Sequence, residues 1–64
     1  MVYKLNDKEI TKEKAENIIE DLATFPYNKD DYAISKEKRI ENYRKALKKI
    51  KTLKVSCDLT LSIN

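Results

Sequence analysis

The chain reads as one small α+β domain with the order ββααβ, its two helices covering one face of a sheet. Three observations carry that expectation. The first ten residues alternate around an Asn-Asp turn, two central segments carry apolar stripes at helical spacing, and the last eleven residues alternate with a period of two.

In YKLNDKEI, Asn6 and Asp7 both tolerate the left-handed backbone that a two-residue hairpin requires. That turn sets Leu5 opposite Lys8, Lys4 opposite Glu9 and Tyr3 opposite Ile10. Tyr3, Leu5 and Ile10 then share the inner face, and Lys4 and Glu9 pair on the outer one.

Thr11 is a good helix N-cap, and Glu13 places negative charge in the first turn. Ala15, Ile18, Ile19 and Leu22 recur on one face, with Glu16, Glu20 and Asp21 opposite. Pro26 disfavours helical geometry at Phe25, so the helix is expected to end near Thr24. FPYNKDDYAI is a connector with a turn expected around Asn28. Ser35 caps a second helix over about 36–51, with Asp30 or Asp31 as the alternative starting cap. Ile40, Tyr43, Leu47 and Ile50 form its narrow apolar stripe.

At the end of the chain, Leu53, Val55, Cys57, Leu59, Leu61 and Ile63 alternate with Lys54, Ser56, Asp58, Thr60 and Ser62. Read as one strand, this segment extends roughly 36 Å, against some 13 Å for the first strand. Much of its edge then lacks a ladder partner, and long uncovered edges are rare in native proteins. The six apolar residues are therefore the expected interface, through the same strand of a second copy or a strand of a target protein. The competing expectation is that the last residues fray or bend over the helices. Cys57, on the apolar face, is expected to be a small buried hydrophobe.

Several function classes are excluded or disfavoured by what the 64 residues lack. There is no histidine and one cysteine, so neither an internal disulfide nor a zinc site of the usual ligand set can form. There is no glycine, which removes the phosphate-cradling loops. The usual nucleophile–base pairs are missing, and the acids Glu16, Glu20 and Asp21 fit a solvated helix face. Asp30-Asp31 lacks the spacing of a calcium loop. The expectation is a non-enzyme without cofactors. No apolar run approaches the roughly 20 residues of a membrane span, and the start lacks the hydrophobic block of a signal peptide. One thiol and many lysines fit a cytoplasmic location.

Charge is unevenly spread: residues 1–32 carry a net −3 and residues 33–64 a net +6. RKALKKIKTLK concentrates Arg44, Lys45, Lys48, Lys49, Lys51 and Lys54, which supports nucleic-acid contact as an alternative function. The same lysines also complement a helix C-terminus, and only two arginines are present to read bases. Tyr27 and Tyr32 flank NKDD in the connector and are candidate anchors for a protein partner. Tyr3 and Tyr43 lie on inward faces and are expected in the core.

The layout from ENIIEDL through AISKEKRIENYRKALKKIK resembles short accessory proteins carried by phages of low-GC Gram-positive bacteria. The resemblance covers about half the chain and implies action by binding, as an inhibitor of a host or defence factor in the host cytoplasm. It transfers no functional residue. The leading expectation is thus a protein-binding module that dimerises or docks through its last strand.

Overall fold

A hairpin opens the structure, a computed structural model that describes all 64 residues. Strands β1 (Tyr3–Leu5) and β2 (Lys8–Ile10) are joined by Asn6 and Asp7. Both turn residues have positive φ, 50° and 69°, as this turn demands in a chain without glycine. The register is Tyr3 to Ile10, Lys4 to Glu9 and Leu5 to Lys8, as the alternation predicts.

Helix α1 (Lys12–Thr24) follows, with the Thr11 hydroxyl accepting from the Lys14 N–H. It stops before Pro26, as expected. The connector then forms a 3-10 helix (Lys29–Ala33), whose first turn is capped by the Asn28 side chain accepting from the Asp30 N–H. Helix α2 (Lys36–Ile50) is capped by Ser35 and ends at Lys51, which has left-handed geometry with φ 66°. Neither Asp30 nor Asp31 starts this helix. Ile50, expected in the apolar stripe, is exposed.

The expected long final strand is corrected by the structure. The segment divides into β3 (Thr52–Lys54) and β4 (Thr60–Ile63), which form an antiparallel hairpin. The reversal is made at Ser56–Leu59, where the Leu59 carbonyl accepts from the Val55 and Ser56 N–H groups. The Ser56 hydroxyl also accepts from the Asp58 N–H. A straight strand of about 36 Å would exceed the molecule's longest dimension of 31 Å.

All neighbouring strands are antiparallel, in the order β2-β1-β4-β3. Folding the tail back thus carries β4 into the sheet interior, between β1 and β3. Ladder bonds between Val2 and Asn64 extend its pairing with β1 beyond the strand ends. The Asn6 side chain ties the two turns together, donating to the Asp58 carbonyl at 2.7 Å and accepting from the Thr60 N–H at 2.9 Å.

Both helices pack on one face of this sheet. The core comprises Ala15, Ile19, Leu22 and Ala23 of α1, Tyr43 and Leu47 of α2, and Leu61 and Ile63 of β4. Tyr3, Ile10, Ile18, Ile40, Leu53 and Val55 are half-buried around it. The other face carries the alternate residues Glu9, Lys4, Ser62 and Thr52, and no further layer covers it. No helix is long and apolar enough to cross a membrane.

Candidate protein-binding surface

The interface expected along residues 53–63 does not exist as one edge. Leu61 is fully buried and Ile63 nearly so, because β4 is an interior strand and both side chains face the helices. Leu53 and Val55 are half-buried against the same core. Leu59, at 37% exposure, sits at the end of the turn. Cys57 is exposed at the turn's tip, which corrects its expected role as a buried hydrophobe.

A different surface stands out around the connector. Phe25, Tyr27 and Tyr32 are 76%, 50% and 55% exposed, and all three fall within residues 25–32. The chain contains only five aromatic residues. A domain with so few buried residues gains most by placing aromatics in its core, since each removes 150–250 Å² from water. Leaving three of five on one segment runs against that gain. Total exposed area, 4716 Å² for 7.5 kDa, is about a tenth above the roughly 4250 Å² expected of a compact monomer.

The connector is held firmly. Arg39 of α2 donates from Nε to the Asp31 carbonyl at 2.7 Å and from Nη1 to the Ala23 carbonyl at 2.8 Å. Its guanidinium carbon lies 5.2 Å from the centre of the Tyr32 ring, within cation–π range. The Tyr43 hydroxyl donates to Asp31 Oδ2 at 2.9 Å. Burial, then the hydrogen bond and charge of Asp31, push the Tyr43 pKa up to about 12. The exposed aromatics are thus presented on a braced segment, which lowers the ordering cost of binding.

Beside the connector lies an open groove of about 740 Å³. Tyr27, Asn28, Lys29 and Asp31 form one side, Leu53 and Lys54 of β3 the other, and Leu22 and Tyr43 the floor. β3 is an edge strand. Val55 donates to Leu59 and Lys51 accepts from Ile63, so the odd-numbered residues bond to β4. The peptide groups of Thr52 and Lys54 therefore turn outward from the sheet.

The basic residues do not act as one stripe. Lys45 is bound to Glu41 at 2.9 Å, and Lys38 lies 3.8 Å from the same carboxylate. The two cations hold Glu41 below its usual pKa, the Lys45 hydrogen bond being the larger cause. Arg44 and Lys48 border a small groove with Lys12 and Glu16, floored by Ile19, Leu47 and Ile63. Lys49 is exposed, and Lys51 lies past the end of α2 in left-handed geometry. None of Arg44, Lys48, Lys49, Lys51 and Lys54 takes part in an ion pair.

Sequence reasoning singled out Tyr27 and Tyr32 but missed Phe25 and Arg39. Phe25 had a readable signal: it precedes a proline just past a helix end, where the side chain leaves the helix's apolar face. Arg39 had none, because its role depends on two carbonyls distant in the chain. No known protein family, curated protein or solved structure matches this chain.

Proposed function

We propose that this protein is a non-catalytic binding module that engages a protein target through residues 25–32 and the groove beside them. The observation that carries the reading is the exposure of Phe25, Tyr27 and Tyr32 on one braced segment. Aromatic side chains enriched at a surface are the usual anchors of protein interfaces. The resemblance to short phage accessory proteins adds the expected consequence, inhibition of a host or defence factor by occupancy. Docking through the last strand is not retained as the route, since β4 is interior.

The test is capture from host lysate with the wild type and a Phe25→Ala/Tyr27→Ala double variant, each with and without nuclease. Both side chains are at least half exposed, so the variant is expected to keep its thermal midpoint. The expected result is a stoichiometric protein band that survives nuclease and is lost with the variant. A band retained undiminished by the folded variant would rule out this surface.

Nucleic-acid contact is the second reading, favoured by the convergence of Lys12, Arg44 and Lys48 without ion-pair partners. It requires that captured proteins vanish on nuclease treatment and that binding weaken steeply with salt. The reading is thinner, because Glu16 shares that groove and Glu41 occupies Lys45.

A further inference from the structure

Three features of the β3 edge have consequences for what the groove accepts. The first is backbone geometry: Thr52 and Lys54 turn their N–H and C=O groups away from the sheet, and no element of the chain covers them. The second is shape. The groove runs between that edge and Tyr27, with Leu22 and Tyr43 below and Leu53 on the β3 side, so a chain laid along β3 meets both peptide groups and apolar side chains. The third is charge. Between Asn42 and Cys57 the sequence holds six cations and no acid, and β3 lies inside that stretch. The groove's own carboxylate, Asp31, is engaged by the Tyr43 hydroxyl, whereas Lys29 and Lys54 form no ion pair.

We infer that the target contributes an extended, acid-bearing segment that adds to the sheet as a fifth strand beside β3. This rests on the protein-binding reading and names the chemistry of the partner. Main-chain hydrogen bonds to Thr52 and Lys54 supply register, and alternate apolar side chains of the incoming strand enter the groove. Carboxylates on the other face of the incoming strand then lie beside Lys54, which stands with Thr52 on the helix-free side of the sheet. A second copy of this chain is a poor occupant. Full antiparallel overlap of two β3 strands sets each Lys54 beside a Thr52 with both lysines on one face, and it brings together two stretches of six cations without an acid, whose like charges repel. The short lysine-bearing edge therefore discourages self-association while admitting a strand of opposite charge.

The probe is a displayed library of short random linear peptides, selected on the wild-type protein. Enriched peptides are expected to alternate Asp or Glu with Val, Ile, Tyr or Phe. Lys54→Pro removes one outward N–H and leaves the bonds to β4 in place, and proline is tolerated on such an edge. It is expected to weaken an enriched peptide at least tenfold, and Lys54→Gln, which keeps the N–H, only two- to threefold. Should Lys54→Pro fail to fold, amide exchange on the wild type decides: the Thr52 and Lys54 amides must slow when peptide binds.

Enrichment of basic or uncharged peptides, or no enrichment, would overturn the inference. So would unchanged binding to folded Lys54→Pro, or a wild-type dimer that this substitution dissociates. Peptides lost with Phe25→Ala/Tyr27→Ala but indifferent to Lys54→Pro would leave the protein-binding reading standing and remove only the added strand. Peptides indifferent to both variants would remove both.

Discussion

Arg39, in the first half of α2, donates from Nη1 to the carbonyl oxygen of Ala23, in the last turn of α1, at 2.8 Å. The last carbonyls of a helix have no partner within it. Here a side chain of the next helix supplies one. The same guanidinium reaches the Asp31 carbonyl through Nε and lies over Tyr32. One residue thus joins both helices and the connector that bears the exposed aromatics.

Arg39→Ala is expected to cost about 2–4 kcal/mol, since hydrogen bonds from a charged group contribute roughly 1.5–3 kcal/mol each and are not additive. Arg39→Lys keeps the charge but presents a single ammonium where a planar fork is needed. It is expected to lose about 1–2 kcal/mol on the same grounds, with faster amide exchange confined to residues 25–34. Urea unfolding midpoints read the first effect and exchange rates the second. A lysine variant as stable as the wild type would mean that charge alone, without the fork, holds the connector.

Tyr43 makes the second brace, and its environment gives that brace a pH dependence. Burial raises its pKa first, Asp31 raises it further, Arg39 opposes slightly, and the result is about 12. In the unfolded chain the phenol ionises near pH 10. The folded state therefore holds the proton longer, and the stabilisation is complete below about pH 10 and disappears as pH rises through about 12. The wild type is expected to lose stability faster than Tyr43→Phe across that interval. Every other side chain is common to the two proteins, so the difference between the two curves isolates Tyr43. Parallel curves from pH 9 to pH 12 would show that the hydroxyl is not held as described.

Much of this fold is legible residue by residue. The first hairpin follows from Asn6-Asp7 and its flanking alternation, and α1 from a Thr11 cap at one end and Pro26 after the other. Both are local, so the information lies within a few positions. The last hairpin is hidden because Ser56 and Asp58, which make its turn, also occupy the polar positions of the alternation. A period of two runs through the reversal unbroken, and no glycine marks it. The cue that does exist is length: a strand of eleven residues has no neighbour long enough to pair with. That mismatch reads as a missing partner, whereas the chain supplies the partner by folding back on itself. Of the candidate site, Tyr27, Tyr32 and Leu53 are singled out from the sequence, and Phe25 is readable from the proline that follows it. Its groove combines Leu22, Tyr43 and Leu53 from three separate elements, and its free edge is a consequence of strand order that no local pattern encodes.

Lys51 shows how the absence of glycine leaves a correctable weakness. It ends α2 with φ 66° and ψ 2°, its N–H donating to the Leu47 carbonyl and its own carbonyl accepting from Ile63. A side chain with a Cβ costs roughly 1–2 kcal/mol in that left-handed geometry, and glycine is the residue that usually occupies it. Glycine also frees the unfolded chain, which offsets part of the relief. Lys51→Gly is therefore expected to stabilise by about 0.5–1 kcal/mol, the net of those two effects. Lys51→Ala removes the same charge but keeps the Cβ, so it is expected to give none of that gain. Thermal midpoints of the three proteins at matched concentration provide the comparison. Equal gains from glycine and alanine would assign the effect to lost lysine repulsion in the acid-free stretch around β3, and a loss on glycine substitution would show that the left-handed residue is not strained.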